Sequence, residues 1–240
     1  MYVRISLLGM LLSFLAIETT HAQTYSFGFK TGANYSKISN LTTIILSEPY
    51  FINYSIKETG GASWHLGIFY EYKFDESPLG FQSEIQFSNQ GGNVEFSNYE
   101  KDFHYKMAFA YQYINILSIV KWYPGHGKVS LGAGPCLGIN VASRNIKYNS
   151  WGAGKSEAFG TDLQQQQQLQ NVLRGKNNFG VALDAAWDIN QYVKIGGRYL
   201  WSATNAVETQ ANSYNFITAK NNNSVFEFSV AVSLQSLFDQ

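Results

Sequence analysis

The chain has 240 residues, enough for one large all-β domain, and only 14% of them are charged while 16% are aromatic. Its 17 basic and 17 acidic side chains cancel to zero formal charge, so there is no basic footprint for nucleic acid, and that class of partner is excluded. A single cysteine, Cys136, excludes a disulfide framework within the chain.

The first 22 residues have the form of a secretory signal. Arg4 supplies a positive start, residues 5–17 an apolar run, and Thr20-His21-Ala22 small residues at the two positions that signal peptidase reads. Cleavage is expected after Ala22, which leaves a mature domain of residues 23–240. The run is too short for a spanning helix, which needs about 20 apolar residues. No later run approaches that length. A membrane-integral mature chain must then be a closed barrel, because lipid leaves every backbone polar group to be satisfied internally.

Beyond the signal the chain shows period-two alternation, the mark of β-strands. A first strand is predicted at 25–36, with Tyr25, Phe27, Phe29, Ala33 and Tyr35 on one face and Ser26, Gly28, Lys30, Gly32, Asn34 and Ser36 on the other. Residues 37–61 read as a long polar loop. A second strand, 63–74, sets Trp64, Leu66, Ile68, Tyr70, Tyr72 and Phe74 against His65, Gly67, Phe69, Glu71 and Lys73, and closes in a tight turn at 75–78. A third, 80–90, alternates Phe81, Ile85 and Phe87 with Gln82, Glu84, Gln86 and Ser88, before a second long loop at 91–106. A fourth, 107–123, turns at Pro124-Gly125-His126-Gly127 into a fifth, 128–143. The third and longest loop, 144–176, carries a glutamine run at 164–168, which as a polar tract needs no function of its own. Within it Thr161 is placed to cap a short helix with Leu169, Val172 and Leu173 on one face. Strands at 178–188, 192–203 and 225–234 complete the chain, with a turn at 189–191 and a fourth loop at 204–224.

The fifth strand decides the class. Val129, Leu131, Ala133, Pro135, Leu137, Ile139 and Val141 form an unbroken apolar face, and Ser130, Gly132, Gly134, Cys136, Gly138, Asn140 and Ala142 a face of small residues. A strand in a soluble sheet carries charge on its outer face. Here the small face suits a crowded interior and the apolar face suits lipid. The predicted fold is all-β: an eight-stranded antiparallel up-and-down transmembrane β-barrel. Its connections alternate long and short, so the three short turns and both termini fall on one side and the four long loops on the other. In an outer-membrane barrel the first side is periplasmic and the second extracellular. A soluble barrel of the lipocalin kind would have to place the Trp, Tyr, Phe and Ile rows inside, overfilling a lumen that eight strands leave only wide enough for ordinary side chains.

Several segments resemble a known family. FGFKTGANYSKI (27–38) looks like the first strand of the small outer-membrane β-barrel proteins of the PorT type. WHLGIFYEYKF (64–74), FQSEIQFSNQGG (81–92), YINILSIVKWYP (113–124), VSLGAGPCLGI (129–139), FGVALDAAWDI (179–189) and VKIGGRYLWS (193–202) are similar to its later strands in the same order. The resemblance implies an eight-stranded barrel in the outer membrane of a didermal bacterium. The family's named member assists a secretion system, and most members have no assigned activity, so the resemblance speaks to fold and place more than to function.

Catalytic and metal chemistry find little support in the residues. After the signal only His65, His104 and His126 remain, and only His65, near Ser63, faces the predicted lumen. No metal-ligand spacing or phosphate-cradling loop is present. The expectation is a non-enzyme without cofactor. Its partners are expected to be outer-membrane lipid and, in the PorT-like alternative, envelope or secretion proteins; a lipid-modifying enzyme is the third reading. Two groups of residues are expected to matter. Lys30, Glu71, Glu84, Lys121, Asp184 and Arg198 point inward and are expected to form a neutral ion-pair network, with Glu71, Glu84 and Lys121 at one height. Tyr50, Tyr54, Tyr99, Tyr148, Trp151 and Tyr214 are candidate contacts in the surface loops, with Tyr35 and Phe51 beside them.

Overall fold

The computed structural model describes residues 24–45, 54–155, 160–210 and 216–234. The predicted signal sequence lies outside the described residues. In chain order the elements are β1 (Thr24–Ile38), α1 (Leu41–Ile45), β2 (Ser55–Thr59), β3 (Gly61–Lys73), β4 (Leu79–Asn98), β5 (Phe103–Trp122), β6 (Val129–Asn140), β7 (Ile146–Trp151), α2 (Asp162–Val172), β8 (Leu173–Gly175), β9 (Asn178–Asp188), β10 (Val193–Asn205), β11 (Val207–Thr209) and β12 (Asn222–Ser233). Among them β1, β3, β4, β5, β6, β9, β10 and β12 each pair antiparallel with the next, and β12 returns to β1. The result is the eight-stranded up-and-down barrel that the alternation predicts. The short connections at 74–78, 123–128 and 189–192 lie together at one end. Gly125 sits there at φ 59°, in the left-handed region that glycine tolerates, inside the one-turn helix that links β5 to β6.

The outward faces of the ring are apolar and open. Phe29, Leu66, Ile68, Ile85, Val120, Leu183 and Phe228 are among the many large apolar side chains left exposed there. Near the short turns this belt ends in Tyr25, Phe74, Trp122, Trp187 and Tyr192, and at the other end in Tyr35, Trp64, Trp201 and Phe226, which makes an aromatic girdle at each edge. The inward faces are small or polar. Gly134 shows why: a Cβ there would lie 1.9 Å from the Ser118 carbonyl oxygen.

Each of the four stretches predicted as loops contains strand. Residues 91–106 contain no long loop: β4 and β5 run on as one hairpin, closed by a turn at 99–102 and paired through to Asn98↔Phe103. The end of the predicted 37–61 loop is β2, which pairs with β4 above β3. β7 likewise continues along β5 above β6. A wall of four strands, in the order β2-β4-β5-β7, therefore rises from one side of the ring.

The pairing parity is unchanged along this wall, but its chemistry inverts. In the ring, β4 turns Phe81, Ile85 and Phe87 outward and Gln82, Glu84, Gln86, Ser88 and Gln90 inward; above Gly92 it turns Val94 and Phe96 inward and Asn93 and Glu95 outward. On β5 the same change falls between Tyr113 and Ile114. An apolar residue belongs outside while lipid is the outer solvent and inside once water is. The inversion therefore marks the level at which the wall leaves the membrane.

Above that level the wall supports a second hydrophobic core. Val94, Phe96, Tyr105, Met107, Phe109 and Ile146 from the wall meet Ile38, Leu41, Ile44 and Ile45 around α1, Leu169, Val172 and Leu173 of α2 and β8, and Ala206 and Val207 at the start of β11. Here α2 begins at Thr161, whose hydroxyl accepts from Gln164 N while Gln164 Oε1 accepts from Thr161 N, a reciprocal capping box. The glutamine run thus lies within the short helix that the Thr161 cap predicts. Gln166 Oε1 accepts from Tyr148 N, and Gln170, just beyond the run, donates to the Ile146 carbonyl, so these two glutamines pin the helix to β7. Asp162 does the same by accepting from Ser150 Oγ at 2.6 Å and Ser150 N at 3.1 Å. Slight burial raises the Asp162 carboxyl, but the Ser150 hydroxyl and amide and the Lys155 ammonium outweigh it and hold the group below its ordinary range. The described parts of the long connections therefore form a folded cap.

Candidate functional site

The inward side chains of the ring meet across the lumen. Arg198 on β10 reaches Glu84 on β4, the strand diametrically opposite in the ring, through two parallel bonds: Nη1 to Oε1 at 3.0 Å and Nη2 to Oε2 at 2.8 Å. Its Nε donates to Asp184 Oδ1 at 2.9 Å, and Nη1 lies 3.7 Å from Glu227 Oε2 on β12. Lys30 joins the same group, 3.3 Å from Glu84 and 3.9 Å from Asp184. A second group lies nearer the short turns. Glu71 accepts from Lys121 at 3.2 Å, from Lys194 at 2.6 Å and from the Tyr123 hydroxyl at 2.8 Å. Lys121, 3.5 Å from Asp184 Oδ2, links the two groups. At the rim Asp188 bridges Lys194 and Lys73, both at 3.3 Å.

All six inward charges named from the sequence thus fall into one connected cluster. Four further charges join it: Lys194 and Glu227 within the lumen, and Asp188 and Lys73 at the rim. Lys194 and Glu227 lie on inward faces at the same parity as Arg198 and Ser229, and this parity was the signal that finds them. With them the buried set balances: Lys30, Lys121, Lys194 and Arg198 against Glu71, Glu84, Asp184 and Glu227. The expected common height of Glu71, Glu84 and Lys121 is corrected by the register. Glu71 faces Gln82, whereas Glu84 faces Leu117 and Lys121 faces Gly80. Lys121 consequently lies between Glu71 and Asp184, and does not hold Glu84.

Above the charges the lumen becomes neutral. Gln86 donates to Glu227 at 2.8 Å, Asn34 to Ser88 at 2.8 Å, and Asn223 to Gln90 at 2.6 Å. Opposite these amides Leu117, Ile119, Cys136, Ala182, Leu200 and Val225 form a small apolar patch, where Cys136 is a packing residue. His65 faces the lumen as predicted and is fully buried at this level, its Nδ1 against Asn34 Oδ1. Ser63 gives its hydroxyl hydrogen to the Asn89 carbonyl at 2.6 Å, so it is not bonded to His65. Among the described residues no group of three or more His, Cys, Asp or Glu side chains is arranged to hold a metal ion.

The candidate contact residues divide. Tyr50 and Tyr214 lie outside the described residues, as does Phe51. Tyr148 and Tyr54 are half-buried in the cap, with rings 5.9 and 6.0 Å from Tyr105. Their parity explains the correction: Tyr148 faces Met107, which points inward, so it is core rather than contact surface. Tyr35 belongs to the outer girdle, where its hydroxyl accepts from Gly60 N. Tyr99, 75% exposed, and Trp151, 39% exposed, remain at the tip of the wall on either side of His104. The Trp151 and His104 rings stack at 5.6 Å, and Tyr99 meets His104 edge-on at 5.6 Å.

The barrel with its lipid-facing belt and filled lumen has a counterpart among known families. The outer membrane protein beta-barrel domain matches residues 21–208, well over half the chain. The chain belongs to that family. As an outer membrane β-barrel protein it is similar in structure to Neisserial surface protein A, with 12% identity over 88% of this chain and 99% of the other and a TM-score of 0.41. It is similar also to Ail, the attachment invasion locus protein of Yersinia pestis, with 11% identity over 88% and 99% and a TM-score of 0.39. Outer Membrane Protein W of E. coli gives 12% identity over 89% and 100%, with a TM-score of 0.36. No curated protein matches the chain in sequence.

Proposed function

We infer that this outer membrane β-barrel protein is a closed, non-enzymatic barrel of structural or interaction type, whose membrane part serves as a rigid mount for the cap. The observation that carries this reading is the Arg198–Glu84 fork, which crosses the full width of the lumen with balanced charges around it and the apolar cap core above it. An eight-stranded ring leaves little width beside such a cluster, and the space beside it is a small cavity lined by Lys30, Gln82, Lys121, Asp184 and Lys194. Wild-type protein reconstituted in planar bilayers is expected to show no steady conductance, and to run on gels at different positions with and without boiling while resisting carbonate extraction. Stable open channels, or release into carbonate, would sink the reading.

The orientation that goes with it places the cap outside the cell and the short turns and termini in the periplasm. What supports it is the shortness of the three turns at one end and the size of the cap at the other. Protease applied to intact cells is expected to cut within 152–161, where the described residues of the segment are mostly exposed, and to spare the docked helix α2 and the turn at Pro124. Cleavage at Pro124 with residues 152–161 protected would reverse the orientation. The strand-by-strand resemblance to PorT-type barrels favours a second reading, an accessory role in secretion or envelope assembly. In that case crosslinking in intact cells should capture envelope proteins at Tyr99 or Trp151, and deletion should impair secretion. A lipid-modifying role would instead show as altered lipid A or phospholipid on deletion.

A further inference from the structure

The outward face of the wall above the membrane is built unlike the lipid-facing surface below it. Pairing places Lys57, Glu95, Lys106 and Asn149 in one cross-strand row, on β2, β4, β5 and β7. One step nearer the membrane the row reads Thr59, Asn93, Ala108 and Lys147, and one step farther Ser55, Ser97, His104 and Trp151. Lys57 and Lys147 are exposed and Lys106 is half-buried. Among the described residues none of these three ammonium groups forms an ion pair, although the lumenal charges on the same chain are paired throughout. Lys106 and Lys147 are diagonal neighbours roughly 7–8 Å apart at their backbones. Lys57 and Lys106 flank Glu95, roughly 10 Å from each other at the usual strand spacing. Three cations with one anion between them form a surface of positive potential, with Asp102 3.5 Å from His104 at its upper edge and the neutral outward pairs Gly91/Ala110 and Asn89/Gln112 between it and the lipid belt at Phe87, Ile114 and Ile139. The stacked His104 and Trp151 rings, with Tyr99, lie at its upper edge.

We propose that this face binds the phosphorylated inner saccharide of the outer-leaflet glycolipid, lipopolysaccharide, with Lys57, Lys106 and Lys147 on its phosphates and Trp151 stacked on a sugar ring. The order of the chemistry along the wall supports that occupant. Apolar residues, then cations, then an exposed aromatic succeed one another in the order in which acyl chains, phosphates and sugars rise from the membrane. The proposal rests on the outward orientation of the cap given above.

The test uses the full-length mature protein in detergent micelles, with deacylated, phosphorylated lipopolysaccharide saccharide as the probe, so that binding of acyl chains to the belt does not contribute. Wild type should bind it in a salt-dependent way. K106Q/K147Q should weaken binding at least tenfold, and W151A several-fold, with the boiling-dependent gel shift of each variant unchanged. The same saccharide stripped of phosphate should bind wild type as poorly as the intact saccharide binds K106Q/K147Q. Equal binding by wild type and K106Q/K147Q overturns the proposal. So does competition by inorganic phosphate at the concentration of the saccharide, which would reduce the face to a plain anion surface. Orientation is read separately by labelling N149C on intact cells with a membrane-impermeant maleimide. Labelling is expected; its absence beside intact binding in micelles would refute the orientation, and with it lipopolysaccharide as the occupant, while leaving the affinity of the face for phosphorylated saccharide standing.

Discussion

Arg198→Met is expected to destabilise the barrel by about 3–5 kcal/mol, the usual result of removing one partner from a buried ionic cluster. The guanidinium is the hub. Its loss leaves Glu84 with Lys30 at 3.3 Å, Asp184 with Lys121 at 3.5 Å, and Glu227 without its nearest cation. Lys121→Met should cost clearly less, because Glu71 keeps Lys194 at 2.6 Å and the Tyr123 hydroxyl at 2.8 Å, and Asp184 keeps Arg198 at 2.9 Å. The urea midpoints of the two variants, refolded into the same detergent, measure the difference. A Lys121→Met midpoint at or below that of Arg198→Met would contradict the assignment of the hub. Adding Glu84→Gln to Arg198→Met should recover part of the loss, since it removes one of the stranded charges.

Phe96→Ala is expected to damage the cap and leave the barrel. Phe96 is fully buried and stacks on Tyr105 at 4.5 Å, and truncating such a ring costs about 3–5 kcal/mol. That loss falls in a core separated from the lumenal charges by the amide layer. Protease should then cut the hairpin near Asn98 and the α2 segment at doses that spare wild type, while the boiling-dependent gel shift of the barrel persists. Loss of that shift in Phe96→Ala would mean that cap and barrel unfold as one unit.

The ring was legible in the sequence because lipid and lumen impose opposite demands on alternate residues, and Val129 to Asn140 displays both without exception. The inward charges were legible for the same reason: parity alone puts Asp184 and Arg198 on one side, and the register then sets them opposite each other. Their partners were not legible. Which side chains meet across a lumen depends on stagger around the ring, and this is why Lys121 finds Asp184 rather than Glu84. The cap was hidden by its own logic. At Gly91-Gly92 the apolar residues change sides, and a pattern that changes sides reads as a strand that has stopped. The Val94, Phe96, Tyr105 and Met107 alternation is intact, but in the phase of a protein in water. Tyr148 on β7 and Tyr54 just before β2 read as surface contacts for the same reason, and both pack against the cap core.

The seam between β1 and β12 joins the first and last strands of the ring through eleven successive residue pairs, from Gly28↔Ser233 to Ile38↔Asn223. No shorter piece of this chain is a smaller barrel. Until β12 arrives, β1 and β10 each present a full row of unpaired amides and carbonyls, which hydrocarbon does not tolerate. β12 is therefore the strand that turns a sheet into a membrane protein, and the nascent chain must be kept from aggregating until that strand is available. A lesion in β12 would leave an adhesive edge rather than a weakened barrel, so such variants should be lost to quality control rather than recovered as partly active protein.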